Sequence, residues 1–193
     1  MKLEVLRLTL GPLPNNVYLL GDNETGDAVV IDPTFDPSLV FARVGEKGWT
    51  LRQIWLTHGH FDHFAGAAEI AQNFDPPLPI GLHPMDVDWY QNQGGAGQFG
   101  LSIAQPPEPS IRFEHGQELR LQPEREPVAV VRHAPGHSQG HVMFYCEALS
   151  ILFCGDVIFR EGIGRTDLAG GDMLTLIKSI REQVFTLPDE TRW

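Results

Sequence analysis

Residues 57–63 read Thr57-His58-Gly59-His60-Phe61-Asp62-His63, which concentrates three histidines and one aspartate in a single short stretch. Imidazole nitrogens together with carboxylates, without a cluster of thiolates, suit zinc, iron or manganese. The glycine at position 59 lets the backbone turn so that the rings on either side of it face one ion. The stretch therefore predicts a metal site, and a purely structural role for these histidines is the weaker interpretation.

The flanking segments place this stretch between a strand and a helix. Gln53–Thr57 predicts a buried strand. The Ala-rich run from His63 to Phe74 predicts a helix, with Asp62 as its N-cap. Ligands at a strand end and a helix start have fixed supports, which a catalytic metal needs.

A second group of histidines lies further along the chain, at His133, His137 and His141. The Pro-Gly turn before His137 presents that side chain from the end of a strand. Asp156 ends the apolar run that begins at Ile151, and a carboxylate there is placed to bridge two metals about 3.5–4 Å apart. We interpret His133 and His141 as residues that support the metal ligands or lie near the substrate, or else as hydrogen-bonded strand-end histidines.

The rest of the chain predicts one layered α/β domain over residues 1–193. Strands are predicted by alternating or continuous apolar runs, and helices are predicted over residues 36–48 and 172–185. The predicted strands outside the first histidine stretch are Leu3–Leu8, Asn16–Leu20, Ala28–Ile31, Val128–Arg132, Val142–Tyr145 and Ile151–Cys154. The Gly-rich stretch from Gln91 to Leu101 is interpreted as either a border of the substrate site or a mobile surface loop.

Composition argues against several classes of function. The net charge is −11, from 25 acidic against 14 basic residues. Because a chain this acidic is repelled by phosphate groups, we expect it to bind neither nucleic acid nor anionic membranes. No apolar run approaches the roughly 18 residues of a membrane span, and the N-terminus does not resemble a signal peptide. With only Cys146 and Cys154, no disulfide framework is implied, and we expect a cytoplasmic location.

Five stretches together resemble the metallo-β-lactamase superfamily, and in particular its small type II glyoxalases (hydroxyacylglutathione hydrolases). Residues 58–63 resemble the H-x-H-x-D-H motif, and residues 133–141 resemble H-T-P-G-H-T-x-G-H. The other similar stretches are Ile31-Asp32-Pro33, Phe153-Cys154-Gly155-Asp156-Val157-Ile158-Phe159 and Gly162-Ile163-Gly164-Arg165-Thr166-Asp167.

This resemblance implies a four-layer αββα sandwich with a metal centre at the strand ends. It assigns His58, His60 and His137 to a first metal and Asp62 and His63 to a second, with Asp156 as the bridge. Two zinc ions are expected, with iron or manganese as alternatives. Asp32 is expected to support a metal-bound histidine from outside the ligand set.

The resemblance has two departures near the end of the sequence. The family carries a last metal-ligand histidine after an L-P-D-x-T stretch, and here Leu187-Pro188-Asp189-Glu190-Thr191 is followed only by Arg192 and Trp193. The resemblance therefore implies a second site that is short of one ligand. The helical glutathione-binding extension of longer type II glyoxalases has no counterpart among these residues.

The leading functional hypothesis is hydrolysis of a small-molecule thioester such as an S-acylglutathione. Metal-activated water, oriented by Asp62, is expected to attack the carbonyl carbon, and a thiolate leaves without an obligatory proton donor. One alternative is a persulfide dioxygenase-like enzyme with one iron held by His58, His137 and Asp156. A second is hydrolysis of a lactone or another ester. The sequence gives no indication of an oligomeric state.

Overall fold

A six-stranded mixed sheet forms one half of the molecule. The computed structural model describes residues 1–193. The strands of this sheet, in spatial order, are β1 (Leu3–Leu10), β2 (Asn15–Asp22), β3 (Asp27–Ile31), β4 (Thr50–Trp55), β5 (Ile80–Leu82) and β6 (Ile111–Arg112). The first three strands pair antiparallel, and β3 to β6 pair parallel. Because parallel strands end at the same edge of a sheet, Asp32 after β3 and His58 beyond β4 come to one edge.

A four-stranded antiparallel sheet packs against the first. Its strands are β7 (Glu118–Leu119), β8 (Ala129–His133), β9 (Val142–Cys146) and β10 (Ile151–Phe153). A small hairpin of β11 (Ile158–Phe159) and β12 (Gly162–Ile163) follows. The loop between β8 and β9 contains His137, and Asp156 lies just beyond β10.

The helices are short and lie outside the two sheets. They are α1 (Ser38–Lys47), α2 (Phe61–Phe64), α3 (Ala67–Gln72), α4 (Val87–Gln91) and α5 (Met173–Ser179). Turns of 3-10 helix occur at Pro84–Asp86, Gln93–Phe99 and Glu147–Leu149, and a π-helical turn at Ile180–Val184 continues α5. None of these helices is long and apolar enough to cross a bilayer.

Three apolar clusters fix the order of the layers. One cluster contains Ile31, Trp55 and Phe144 and fills the space between the sheets. A second packs residues of α1 and α3, such as Val40 and Ile70, on the outer face of the first sheet. The third packs Leu176 of α5 and Ile180 on the outer face of the second sheet. The predicted four-layer αββα sandwich is therefore confirmed.

The predicted helix from His63 to Phe74 is wrong in one respect, because it is two helices. α2 ends at Phe64 and α3 begins at Ala67, with Gly66 between them. The backbone N–H of Gly66 donates to Pro33 O, and a Cβ atom at Gly66 would lie 2.2 Å from Thr34 O. This close contact with the loop after β3 interrupts the helix. The predicted N-cap is also wrong: His60 is the N-cap residue, and Asp62 lies inside the first turn of α2.

Candidate metal centre

His58, His60 and His137 converge at the edge where the two sheets meet. Their ligand-capable atoms all lie within 4.8 Å of one another, and all three side chains are buried. Nε2 of His137 lies 2.9 Å from Nδ1 of His60 and 3.2 Å from Nε2 of His58. The structure thus brings together the three residues that the resemblance assigns to a first metal.

A second group shares His58 with the first. His58, His63 and Asp156 also have ligand-capable atoms within 4.8 Å of one another. Nε2 of His63 lies 3.2 Å from Oδ1 of Asp156 and 3.8 Å from Oδ2 of Asp62. Oδ2 of Asp156 lies 3.6 Å from Nε2 of His137, so this carboxylate faces both groups. That placement is the one expected of a bridging residue.

Hydrogen bonds from outside the cluster orient three of its imidazole rings. Nδ1 of His58 lies 3.0 Å from Oγ1 of Thr57, and Nδ1 of His137 lies 2.8 Å from the carbonyl oxygen of Arg165. Nδ1 of His63 lies 2.9 Å from Oδ2 of Asp32. Each ring is therefore held through Nδ1, which leaves Nε2 directed at the centre, as in metal sites whose histidines are oriented by outer partners.

Burial and proximity determine the charge on the cluster. Burial, together with the neighbouring histidines, holds the pKa of His58 well below its usual range and lowers the pKa of His60 to about 3. Burial also opposes charge on His63, but the carboxylates of Asp156 and Asp32 outweigh it and raise the pKa of that ring well above its usual value. The His58 and His60 rings are therefore neutral at pH 7, which is the state in which imidazole binds a metal.

The donor set fits a divalent transition metal. Nε2 of His63, which faces Asp156, is buried and forms no hydrogen bond, and an unsatisfied buried polar atom in a native site calls for an explanation such as a bound ion. Nε2 of His58 and Nε2 of His137 face each other at 3.2 Å with their Nδ1 positions already engaged. Imidazoles with a carboxylate at this spacing suit zinc or iron, because these metals accept nitrogen and oxygen ligands together.

Asp62 is fixed by a residue that the sequence analysis did not identify. Nδ2 of Asn15 donates to both the backbone carbonyl and Oδ2 of Asp62, each at 2.9 Å. Asn15 begins β2, 47 residues away along the chain, and a lone asparagine after a Pro-rich turn carries no local signal of this role. The interaction holds the carboxylate beside the cluster.

The three predicted supporting residues have different environments. Asp32 accepts hydrogen bonds from the backbone N–H and hydroxyl of Thr57 in addition to its contact with His63. His141 is buried, stacks on His58 and accepts from the backbone N–H of Asp156 through Nε2. His133 instead lies against His83 and Gln139, and none of its hydrogen bonds reaches the cluster.

Gly59 has a role different from the one expected. It does not adopt a positive φ, so the turn between the flanking histidines does not require glycine. A Cβ atom there would lie 2.7 Å from the carbonyl oxygen of Asp86. The absence of a side chain is what this position requires, because another segment packs directly against it.

A cavity of about 170 Å³ opens beside the cluster. His60, Asp62, His137, Asp156 and Arg165 are among the polar residues that line it. Its apolar lining consists of Leu13, Phe61, Trp89, Phe99 and Leu168. The Gly-rich stretch contributes Gly94, Gly95 and Gln98, which favours the interpretation of that stretch as a border of the substrate site. The edge of the His60 ring packs on Trp89, with ring centres 5.2 Å apart.

Comparison with known proteins agrees with this geometry. The family model of the metallo-β-lactamase superfamily matches residues 10–192. The chain belongs to this superfamily. A probable metallo-hydrolase, YqgX of Bacillus subtilis, is 34% identical over 188 residues, which are 96% of this chain and 85% of the relative. The hydroxyacylglutathione hydrolase GloC of Haemophilus influenzae is 33% identical over 192 residues, 98% of this chain and 87% of the relative.

Solved metallo-β-lactamase-fold structures are similar over nearly the whole chain. TTHA1623, solved in a di-iron-bound form, is 38% identical with a TM-score of 0.85, covering 97% of this chain and 89% of that one. The B3 metallo-β-lactamase BLEG-1 is 30% identical with a TM-score of 0.86, covering 97% and 88%. With its histidine-rich cluster, this chain is a metallo-hydrolase of the superfamily.

Proposed function

We propose that this metallo-hydrolase cleaves small-molecule thioesters such as S-acylglutathiones. The observation that carries the proposal is the cavity beside the cluster, which is lined both by apolar side chains and by His60, Asp62, His137 and Asp156. The apolar lining suits an acyl chain, and the polar residues suit the carbonyl group that is attacked. The similarity to GloC of Haemophilus influenzae supports the same substrate class.

Bound divalent ions would supply an activated water and polarise the substrate carbonyl. His58, His60 and His137 would hold one ion, and Asp62, His63 and Asp156 provide the remaining donors. The chain's own contribution is orientation. Oδ2 of Asp62 is fixed by Asn15, so this carboxylate is held where it accepts a proton from the attacking water.

The cavity favours a leaving group that departs without a proton. Its titratable side chains are His60, Asp62, His137, Asp156 and Arg165. The first four belong to the proposed ligand set, and the guanidinium of Arg165 is paired with Asp167, which raises its pKa further. A thiolate, with a thiol pKa near ~8.5, leaves without an acid, whereas an amine from a β-lactam requires one.

A second candidate is the persulfide dioxygenase-like reaction on a single iron. The similarity to TTHA1623, which was solved with two irons, favours testing iron in this site. His58, His137 and Asp156, the residues expected to hold a single iron, lie side by side in the structure. This candidate predicts oxygen consumption with a glutathione persulfide and no thioester cleavage.

The test is metal analysis of protein purified without added metal, followed by assays on thioester, ester, lactone, β-lactam and persulfide substrates. We expect about two ions per chain and thioester turnover well above the other activities. Asp62→Ala should reduce that turnover by at least 100-fold, whereas the exposed Asp189→Ala should leave it unchanged. If the protein contains a single iron, consumes oxygen and hydrolyses none of the substrates, the second candidate replaces the proposal. If the Asp62→Ala variant keeps most of the thioesterase activity, the role assigned to Asp62 is excluded.

A further inference from the structure

Asp86 is a fully buried carboxylate that the proposed reaction does not use. It ends the 3-10 turn Pro84–Asp86 and directly precedes α4, and its side chain has no contact with solvent. A buried carboxylate is costly unless its oxygens are fully hydrogen-bonded. The position of its partners therefore indicates what the residue does.

All three side-chain partners of Asp86 come from the two loops that carry the proposed metal ligands. Oδ2 accepts from the backbone N–H of Gly59 at 2.9 Å and from the hydroxyl of Ser138 at 2.6 Å. Oδ1 accepts from the backbone N–H of Gly140 at 2.6 Å. Gly59 lies between His58 and His60, and Ser138 directly follows His137. The Asp86 carboxylate is therefore hydrogen-bonded to residues adjacent in sequence to three candidate ligands.

Both loops are packed closely against Asp86. A Cβ atom on Gly140 would lie 2.7 Å from Oδ1 of Asp86, and one on Gly59 would lie 2.7 Å from its carbonyl oxygen. Both loops therefore approach Asp86 at distances that only glycine permits. Three residues further on, Trp89 of α4 packs against the ring of His60.

We propose that Asp86 is a positioning residue that sets the spacing between the two ligand-bearing loops and thereby determines metal affinity. The inference rests on the proposed function in that it takes the histidine cluster to bind metal. A carboxylate is required because all three partners are donors and two oxygens must accept from them. An amide at the same place turns an NH₂ group toward at least one of these donors, which separates the loops.

The test compares Asp86→Asn with the control Asp27→Asn. Asp27 is a second buried carboxylate; it pairs with Arg52 at 2.7 Å and contacts none of the cluster residues. Zinc affinity is measured by competition with a chromophoric chelator. The absorption spectra of the cobalt(II)-loaded proteins are compared, and the stabilities of the metal-free proteins are compared by thermal unfolding. We expect Asp86→Asn to weaken zinc binding about 10- to 100-fold and to change the cobalt spectrum. Asp27→Asn should lower the unfolding temperature but keep the affinity and spectrum of the unaltered chain.

Ser138→Ala provides a milder variant, because it removes one donor and leaves the carboxylate and both backbone donors in place. It should weaken zinc binding several-fold and keeps the proposal testable if Asp86→Asn does not fold. Unchanged affinity in either folded variant overturns the proposal, as does an equal loss of affinity in Asp27→Asn. If the unaltered chain binds no metal, the proposed function and this proposal are both overturned. If it binds metal normally and the Asp86 variant binds metal equally well, only the proposal for Asp86 is overturned.

Discussion

Asn15 illustrates at the residue scale how the site depends on side chains outside the metal cluster. Its amide nitrogen contacts the backbone carbonyl and the carboxylate of Asp62, and it is the one side chain that fixes this carboxylate through a hydrogen bond. Without it, no side-chain hydrogen bond would hold the Asp62 carboxylate beside the cluster. Outer partners of this kind typically contribute 10- to 100-fold to activity or metal affinity.

We therefore expect Asn15→Ala to lower kcat/KM for a thioester by about 10-fold or more, with the loss mainly in kcat. The matched control is Asn23→Ala, because Asn23 also forms two side-chain hydrogen bonds, at the opposite end of β2. Steady-state kinetics of both variants check the prediction. Equal kinetics for Asn15→Ala and the unaltered chain would show that Asp62 does not need this partner.

At the scale of elements, the break between α2 and α3 shows a tertiary contact overriding a local pattern. The Ala-rich composition favours one continuous helix, but Gly66 packs against the loop at Pro33 and Thr34. The contact lies directly after α2, which carries Asp62 and His63. Gly66 is therefore needed for close approach rather than for backbone freedom.

Gly66→Ala should destabilise the fold by about 2 kcal/mol or more, because its Cβ would overlap a backbone oxygen that cannot move aside. The control is Gly45→Ala in α1, where a Cβ meets no atom within 4 Å. That substitution should be neutral or stabilise by about 0.5–1 kcal/mol, as expected for alanine in a helix. Urea unfolding of both variants measures the difference, and similar stabilities for the two would refute the packing argument.

The longer strands and the first histidine stretch were predictable from the sequence because their signals are local, whereas the short strands β5, β6, β7, β11 and β12 were not predicted. Alternating apolar residues predicted β1, and the spacing of His58, His60 and His63 predicted a metal site. Asn15, Trp89 and Asp86 were not predicted, since their partners lie tens of residues away along the chain. The N-cap predicted at Asp62 was wrong because α2 already begins at Phe61, so that Asp62 lies inside its first turn.

At the scale of the whole molecule, the candidate ligands come from both sheets. His58, His60 and His63 follow the first sheet, and His137 and Asp156 follow strands of the second. An ion held by both groups would join the two halves of the sandwich in addition to the apolar core. A metal that binds the folded chain but not the unfolded chain stabilises the folded state by mass action.

Removing metal with a chelator should therefore lower the unfolding temperature, and free zinc at about 1,000 times its Kd should restore roughly 4 kcal/mol of stability. Magnesium should not restore it, because magnesium prefers oxygen ligands in an octahedral arrangement and most donors here are imidazoles. Thermal unfolding with each ion checks this. Equal unfolding temperatures with and without zinc would mean that the two sheets do not share an ion.

The origin of the ligands in both sheets also has a consequence for folding kinetics. His60 and His137 are 77 residues apart along the chain, and contacts this distant form only after the intervening segment has collapsed. The cluster is therefore complete only once the sheets have docked, which is a late event. Metal is expected to leave the folding rate nearly unchanged and to slow unfolding, so that its main effect is on the lifetime of the native state.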